Sequence, residues 1–407
     1  MNNSNHKSSP LEGIKVVEYG VFHAGPGAGA ILGDLGAEVI KIECGIGDPE
    51  RYWTSVGRMS MAGPDGESIM HEISNRNKKG VYLDIKTEKG RAIFLHMIKD
   101  ADVFITNLRK STKKRLAIDY DTLSRENPRL IHANVSGYGQ EGPVCDLGAF
   151  DPLGQARSGM MFLSDPERPG LIHLAVLDQA TAIAASHAIL TALYVRERKQ
   201  KGQEVHVSLY GTGMWLLYAN LMIQSLISVD SAIPWHREEN SPLRNSFCCA
   251  DGKWVIGVHH PEEKYWPSFC KATGREDMIG DHRFADNDSR AANRKELLDI
   301  FDNIFAQKSR DEWMERFAAY GLMFSPVQRI AEVLTDRQAL ENGYVVPFKH
   351  PTFGNVKIPG YPVHFSDCQA GTRSAAPKIG QHTESVLQGM GFTLEEIERL
   401  KEEKVIR

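Results

Sequence analysis

The chain has 407 residues, of which 42% are hydrophobic and 25% charged, the composition of a soluble globular protein and not of a disordered or fibrous one. Its 48 lysines and arginines against 52 acids give a formal charge of −4, which disfavours a general nucleic-acid or anionic-membrane binder. The length predicts about two or three domains.

Cysteine usage and the N-terminal segment bear on the compartment. The six cysteines form no C-x-x-C pair, so neither a zinc site nor a disulfide framework is predicted. The first ten residues are polar, and no stretch of about 18 apolar residues occurs. We therefore expect a soluble, cytoplasmic protein with no metal site.

Strand and helix patterns alternate along the first third of the chain. A glycine-rich turn at residues 23–29 follows the first strand and opens an apolar helix. The predicted strands are residues 14–18, 38–43, 80–85, 103–106 and 130–136, and the helices between the later ones are 88–100 and 120–127. This alternation predicts a Rossmann-like α/β fold, an open parallel sheet covered by helices.

The remaining patterns divide the chain into domains. Residues 137–169 predict a loop layer over the carboxyl ends of the strands, where open α/β sheets bind ligands. A long helix at 179–198 and a strand at 203–209 follow. We predict the N-terminal part of a large domain over residues 1–229, a smaller α+β domain over 230–326, and a linker with a return to the large domain over 327–407. Thr393 and Glu396 match a capping box at the start of the last helix.

The glycine-rich turn invites a dinucleotide interpretation that its spacing disfavours. Gly25, Gly27 and Gly29 form G-x-G-x-G and not G-x-G-x-x-G, and Pro26 lacks the N–H that a pyrophosphate would use. A tight turn for strand-to-helix packing and a loop whose backbone approaches another kind of ligand both stay open.

A basic stretch lies at the end of the fourth predicted strand. Residues 107–115 contain five cations, and Lys78, Lys79 and Lys86 lie one strand earlier. A solvated helix face explains such a run, and a site for a phosphorylated ligand explains it equally well.

Asp178 is the most informative acid. It stands in an apolar context at the predicted start of the long helix, where an aspartate is most often an N-cap. The positive end of the helix dipole would also keep a partly buried carboxylate ionised, and an ionised carboxylate can act as a nucleophile.

Segments along nearly the whole chain resemble the family III CoA-transferases, which include formyl-CoA transferase and carnitine CoA-transferase. The matching segments are 11–18, 24–26, 35–43, 47–48, 83–86, 101–103, 136–139, Asp178, 202–208 and 380–383. Their order and spacing make the resemblance specific.

The resemblance implies a nucleophilic aspartate at Asp178, which would form an aspartyl anhydride and then an aspartyl-CoA thioester. It implies no permanently bound cofactor, since coenzyme A and its thioesters are substrates. The implied partners are an acyl-CoA, a free carboxylic acid, and a second chain in an interlocked homodimer or a heteromer with a paralogous subunit. The CoA contacts carried over are Phe22, His23, Ala24, Leu83, Lys86, Asn107, Leu108, Arg115, Gly137 and Tyr138.

Departures from the family pattern bear on the substrate. His23 stands where formyl-CoA transferase has a glutamine, and Cys44 stands where that enzyme has a cationic residue. The polyglycine loop that covers the active site of the oxalate-using enzyme has no counterpart between residues 230 and 258. The closer likeness is to aryl-lactate, 2-hydroxyacyl and benzylsuccinate CoA-transferases. With His23, Trp53 and Tyr138 at the acyl pocket, we expect a larger aromatic, dicarboxylic or 2-hydroxy acid.

Two alternatives remain at this point. An acyl-CoA racemase of the same superfamily would need an acid/base pair, for which His132 and His173 are the candidates. A CoA-binding partner subunit of a heteromeric transferase is the non-catalytic alternative.

Overall fold

The computed structural model describes residues 8–163, 165, 167–172, 175–228 and 236–407. These residues fall into two compact units. The first unit combines Met1–Ala232 with Asn342–Arg407, and the second is Ile233–Glu341. The predicted boundary at residues 229 and 230 lies outside the described residues.

The secondary structure of both units is as follows. The strands are β1 (Lys15–Glu18), β2 (Glu38–Glu43), β3 (Ser55–Val56), β4 (Met59–Ser60), β5 (Lys78–Tyr82), β6 (Val103–Thr106), β7 (Ile131–Ser136), β8 (Gln203–Ser208), β9 (Ser246–Cys248), β10 (Trp254–Gly257), β11 (Phe324–Val327), β12 (Val345–His350) and β13 (Gly354–Pro359). The helices of the first unit up to residue 232 are α1 (Ala24–Asp34), α2 (Ile69–Asn75), α3 (Glu88–Asp100), α4 (Lys110–Arg115), α5 (Tyr120–Glu126), α6 (Asp151–Ser158), α7 (Val176–Lys199), α8 (Leu209–Leu216) and α9 (Tyr218–Ile227). The later helices are α10 (Glu262–Thr273), α11 (Asn287–Ala292), α12 (Arg294–Phe305), α13 (Arg310–Ala319), α14 (Ile330–Val333), α15 (Arg337–Glu341), α16 (Thr383–Gly389) and α17 (Leu394–Glu402).

A six-stranded parallel sheet organises the first unit. Its strand order is β5-β2-β1-β6-β7-β8, so the order reverses between β1 and β6. This is the strand order of a Rossmann-type sheet, and the predicted fold class is confirmed. The reversal opens a crevice at the carboxyl ends of β1 and β6, where ligands of open α/β sheets bind.

Helices cover both faces of this sheet because its central strands are apolar on both sides. On one face Val16 packs with Leu32 of α1 and Ile189 of α7. On the other face the next residue, Val17, packs with Phe94 of α3 and with the C-terminal helices α16 and α17. Among the described helices, α7 alone is long and apolar enough to cross a membrane by length and composition. Its buried face packs against α1 and the sheet, as in a core helix.

The second unit is a smaller α+β domain. Its sheet has the order β11-β10-β9 and is antiparallel, and an aromatic core joins it to α10, α12 and α13. The unit extends to Glu341, so residues 327–341, predicted as linker, belong to it. Arg310 at the start of α13 forms an ion pair with Glu332 at 2.7 Å, which ties this segment to the domain.

Two local expectations were wrong. Residues 137–169 contain the helix α6, whose eight residues are too short to show a clear period among glycines and prolines. Lys78, for which a solvated face and a phosphorylated ligand were the open alternatives, fits neither, because it is buried within β5, where its Nζ lies 2.7 Å from Glu18 Oε2. The capping box of Thr393 and Glu396 is confirmed at α17.

Buried ion pairs fix the carboxyl end of β1. Glu18 accepts from Lys78 and, at 3.2 Å, from Lys41, and Lys41 also contacts Asp48 at 2.9 Å. All four side chains are fully enclosed. Because removing one partner leaves an uncompensated buried charge, such pairs are costly to break.

We expect Lys78→Met to lower the free energy of unfolding by about 3–5 kcal/mol, since it leaves Glu18 with one ammonium partner in place of two. Lys79→Met is the matched control on the adjacent residue, because the Lys79 side chain is 48% exposed and its pair with Glu38 lies at the surface. The control should change stability by about 0–1 kcal/mol. Urea unfolding of both variants measures the difference, and equal effects would contradict the assigned role of the buried pairs.

Candidate active site

The loop after β1 enters the crevice in a constrained conformation. Phe22 has a φ of 58°, a left-handed value that is unfavourable for an aromatic residue. Asp48 accepts from the N–H of Phe22 at 3.0 Å, while the Asn107 side chain accepts from the N–H of Val21 and donates to its carbonyl. Side chains that follow β2 and β6 therefore hold the loop in place.

The glycines of this loop serve close packing. A Cβ on Gly25 would lie 3.1 Å from the Asn107 side chain, and a Cβ on Gly27 would lie 2.9 Å from Ala182 of α7. The cluster thus lets α1 approach both β6 and α7, in agreement with the packing interpretation of the glycine-rich turn.

A cavity of about 230 Å³ lies in the crevice, lined by the ends of β1, β2 and the segments after β5 and β6. Three of the predicted CoA contacts, Lys86, Leu108 and Arg115, line it together. Val21 and Cys44 also line it. Two cations of the predicted basic group thus meet in one cavity.

The structure assigns other surroundings to several predicted contacts. The Leu83 side chain is fully buried in the core, and the Asn107 amide is used by the Val21 backbone. Tyr138 packs against the Arg157 guanidinium, 5.6 Å from its ring centroid, and Gly137 lies against Ala149. None of these four lines the cavity.

The basic stretch is divided between two roles. Lys113 turns inward and contacts the Asn134 side chain, whereas Arg115 lines the cavity. Charge patterning alone could not separate them, because both residues belong to α4 and only one of its faces is buried.

Asp178 lies in the first turn of α7 and not at its N-cap. The helix begins at Val176, and its N-cap is Ala175. Asp151 of α6 accepts from the N–H groups of Leu177 at 2.7 Å and of Asp178 at 3.0 Å. The expected N-cap role of Asp178 is therefore wrong, because a carboxylate from another helix binds these helix-end donors.

Asp178 itself is half-buried and has an unusual acidity. Burial first, and the negative charge of Asp151 second, raise the pKa of Asp178 to about 7. The helix dipole was expected to keep this carboxylate ionised, yet the charged and neutral forms are both present near neutral pH.

His23 joins the crevice loop to the start of α7. Its Nε2 lies 2.9 Å from Oε1 of Gln179, the neighbour of Asp178, and its Nδ1 lies 2.7 Å from the Ser74 hydroxyl. Burial lowers the pKa of His23, so the imidazole is neutral. Sequence reasoning found His23 but neither Ser74 nor Gln179.

An aromatic group borders the site. The Phe22 ring makes edge contacts with Trp53, at a centroid distance of 6.3 Å, and with Phe150, at 5.1 Å. Trp53 is 41% and Phe150 51% exposed. Phe150 precedes α6, so it was missed together with that helix and with Asp151. The Asp151-Pro152 pair, typical of a helix start, was the available signal.

One buried group has the composition of a metal site. Asp48, Glu50 and His71 each offer a ligand atom, and these atoms lie within 4.8 Å of one another. Lys41 already contacts Asp48, and the charges of Lys78 and Arg51 lie close by. Because the ammonium of Lys41 already occupies Asp48 at 2.9 Å, we describe Asp48 as part of the ion-pair network and not as a metal ligand.

His132, a candidate acid/base residue, is unavailable for catalysis. It is fully buried, its Nε2 contacts the Ile118 carbonyl at 2.8 Å, and its Nδ1 contacts the Asn134 amide. His173 lies outside the described residues.

Comparison with known proteins defines the class of this site. The profile of CoA-transferase family III matches residues 11–383. The chain is 33% identical to the cinnamoyl-CoA:phenyllactate CoA-transferase of Clostridium sporogenes and 32% identical to the (R)-2-hydroxy-4-methylpentanoate CoA-transferase of Clostridioides difficile. The alignments cover 98% of this chain with 98% of the first protein and 99% of the second.

A solved structure agrees with the sequence comparison. The crystal structure of a CAIB/BAIF family protein from Brucella suis superimposes with a TM-score of 0.84 and 27% identity, over 94% of this chain and all of that one. The protein is thus an enzyme of the acyl-CoA:carboxylate CoA-transferase class, built on a Rossmann-type sheet. It belongs to CoA-transferase family III.

The acidity of Asp178 can be tested directly. Asp151→Asn should lower the pKa of Asp178 below about 7, because it removes the nearby negative charge and keeps an oxygen that can accept from the helix N–H groups. Carboxyl ¹³C NMR titration of aspartate-labelled protein measures this shift, with Asp178→Asn to assign the signal. Asp121→Asn, at an exposed first-turn position of α5, should leave the titration unchanged. An unaltered or higher pKa in Asp151→Asn would refute the assigned cause.

Proposed function

We propose that this enzyme moves CoA from an acyl-CoA to a free carboxylic acid, with Asp178 as the nucleophile. The observation that carries the proposal is the continuity of the loop after β1. Val21 of this loop lines the cavity with Lys86 and Arg115, and His23, two residues later, contacts Gln179 beside Asp178. A CoA molecule bound at the cavity would therefore lie along a loop that leads to the carboxylate.

The chemistry is an exchange of acyl groups at one carboxylate. An oxygen of Asp178 attacks the thioester carbonyl and the carbon–sulfur bond breaks. CoA thiolate is released, and a mixed anhydride of Asp178 and the donor acid remains. The thiolate attacks the aspartyl carbonyl, which releases the donor acid and gives an aspartyl-CoA thioester. The acceptor carboxylate attacks the carbonyl of this thioester, its carbon–sulfur bond breaks, and CoA thiolate is released from a second mixed anhydride. The thiolate then attacks the acceptor acyl carbon of this anhydride, which frees the Asp178 carboxylate and yields the new acyl-CoA.

The surroundings of Asp178 suit this sequence of steps. One thioester replaces another, so the overall exchange is nearly thermoneutral and needs no ATP. The enzyme must orient the reactants and stabilise each oxyanion through hydrogen-bond donors. A carboxyl with a pKa of about 7 also combines a large ionised fraction at neutral pH with a higher basicity than an ordinary aspartate has.

We assign the phosphates of CoA to the cavity. Lys86 and Arg115 supply the cations, and Leu108 supplies an apolar wall. Phe22, His23 and Ala24 follow Val21 beyond the lining of the cavity, and we assign them to the part of CoA between the phosphates and Asp178. Leu83 and Asn107 act indirectly, since their side chains support the core and the loop. We assign Gly137 and Tyr138, which lie outside the cavity, to contacts with the outer part of CoA.

The aromatic group of Phe22, Trp53 and Phe150 supports a bulky acyl group. Exposed aromatic edges offer apolar surface to a ring or a branched chain. The relatives named for phenyllactate and for 2-hydroxy-4-methylpentanoate act on an aromatic and a branched 2-hydroxy acid. We therefore propose an aromatic or branched 2-hydroxy acid as the substrate class.

We also propose that the chain works as a homodimer in the cytoplasm. The helix α9 has no buried residue and exposes Leu221, Leu226 and Ile227, an apolar face typical of subunit contacts. The interlocked form is the family arrangement implied by the resemblance. The six free cysteines are compatible with a reducing compartment.

The experiment that tests the function is exchange of CoA between labelled acids and acyl-CoA. Asp178→Asn keeps the shape of the side chain but removes the nucleophile, so exchange should fall about 10³-fold or more. Asp121→Asn, which alters an exposed first-turn aspartate of α5, should retain the wild-type rate. Full exchange by Asp178→Asn would rule out the proposed nucleophile.

A thiol in the cavity reports where CoA binds. Cys44 lines the cavity with Lys86 and Arg115, so bound CoA should slow its alkylation by iodoacetamide. Cys248 and Cys368, also half-buried thiols but outside this cavity, serve as internal controls in the same peptide digest. Protection of Cys44 alone is expected, and it should be lost in Arg115→Ala. Alkylation of Cys44 at an unchanged rate with saturating CoA would contradict the assigned site.

A further inference from the structure

Behind His23 lies a polar pair that the steps above do not use. Ser74, at the penultimate position of α2, is fully buried, and its Oγ lies 2.7 Å from Nδ1 of His23. The carboxyl group of Glu50 lies beside this hydroxyl and is also fully buried. Within the described residues neither Glu50 oxygen has a hydrogen-bond partner.

The contacts of His23 specify one tautomer. A neutral imidazole has one N–H and one acceptor nitrogen. With the Gln179 amide oriented so that Oε1 faces the imidazole, this oxygen accepts from Nε2 of His23, which then carries the proton. Nδ1 is then the acceptor, and the Ser74 hydroxyl is its donor. Loss of this hydroxyl would leave Nδ1 buried without a donor, and Gln179 would be the one remaining contact that fixes the tautomer.

The charges around the pair support a neutral imidazole. Arg76 and Lys78 lie near His23 and oppose its protonation, whereas Gln179 and Asp151 favour it less strongly than burial disfavours it. Around Glu50, burial and Asp48 raise the pKa to about 8, against the effects of Lys41, of the neighbouring Ser74 hydroxyl and of Lys78. A carboxyl of raised pKa attracts the Ser74 proton less than an ordinary carboxylate would, which favours donation by Ser74 to Nδ1 of His23.

We propose that Ser74 is a positioning residue, which holds His23 so that its Nε2–H points at the first turn of α7. When Asp178 attacks a thioester, this N–H leaves Gln179 and donates to the oxyanion that forms. The inference rests on the proposed function and deepens it. His23 supplies the donor, whereas Ser74 touches neither substrate nor Asp178 and acts only through the imidazole. A donor already aimed at the developing charge needs no reorganisation during the reaction.

The tautomer can be measured without any substrate. Long-range ¹H–¹⁵N NMR of histidine-labelled protein, with His23→Gln to assign the signals, should show His23 protonated at Nε2 and not at Nδ1. A wild-type His23 protonated at Nδ1 overturns the inference while leaving the proposed function intact. Conversely, if the wild-type enzyme exchanges no CoA, the proposed function fails even where NMR shows His23 protonated at Nε2.

Kinetics then separate positioning from mere packing. Ser74→Ala should lower kcat about 10- to 100-fold with little change in KM for acyl-CoA, since the lost contact matters in the transition state. The control is Ser186→Ala, which removes a buried hydroxyl from a different helix, α7. It should leave kcat within about threefold of wild type. In a His23→Gln background, Ser74→Ala should have no further effect, because the imidazole it positions is gone.

Two kinetic outcomes would overturn the role of Ser74. One is a kcat of Ser74→Ala equal to that of the Ser186→Ala control. The other is an undiminished effect of Ser74→Ala in the His23→Gln background, which would show a structural role independent of the imidazole. Should Ser74→Ala fail to fold, the wild-type tautomer remains a decisive test.

Discussion

The arrangement of the site depends on the carboxylate of Glu18, which two buried ammonium groups hold at the carboxyl end of β1. Lys78 and Lys41 both contact it, and Lys41 extends the contact to Asp48 and to the carbonyl of Gly20. Asp48 in turn accepts from the N–H of Phe22. The strand end, the crevice loop and the loop after β2 thus form one connected network. The strained backbone at Phe22 persists because these contacts outweigh its cost.

The carboxylates of the first unit differ sharply in their partners. Glu18 and Asp48 are fully enclosed and paired with lysines, so they stabilise the fold and are unavailable for chemistry. Asp178 is half-buried, and its burial first and the negative charge of Asp151 second raise its pKa. Folding therefore places paired, compensated charges behind the crevice loop and an acid of raised pKa beside it. Groups with perturbed pKa values are candidates for function, and the resemblance to the family points to the same acid.

The sheet was predictable because its signals are local. Apolar strands alternate with helices, and the structure confirms the predicted helix Glu88–Asp100 to the residue, with Thr87 as its N-cap. The site was only partly predictable because its contacts are distant in sequence. Asp151 binds the first turn of α7 from 26 residues away, and Ser74 meets His23 across 51 residues. No local pattern marks either contact. Charge patterning likewise failed for Lys78 and Lys113, whose burial depends on tertiary packing.

The central claim is that Asp178 becomes covalently linked during transfer. The most direct measurement is peptide mass spectrometry after the enzyme is mixed with an acyl-CoA and quenched with hydroxylamine, which converts an activated carboxyl into a hydroxamate. We expect a hydroxamate on the peptide that contains Asp178, present only with acyl-CoA and absent from Asp178→Asn. A hydroxamate on another acidic residue, or none while CoA exchange proceeds, would contradict it.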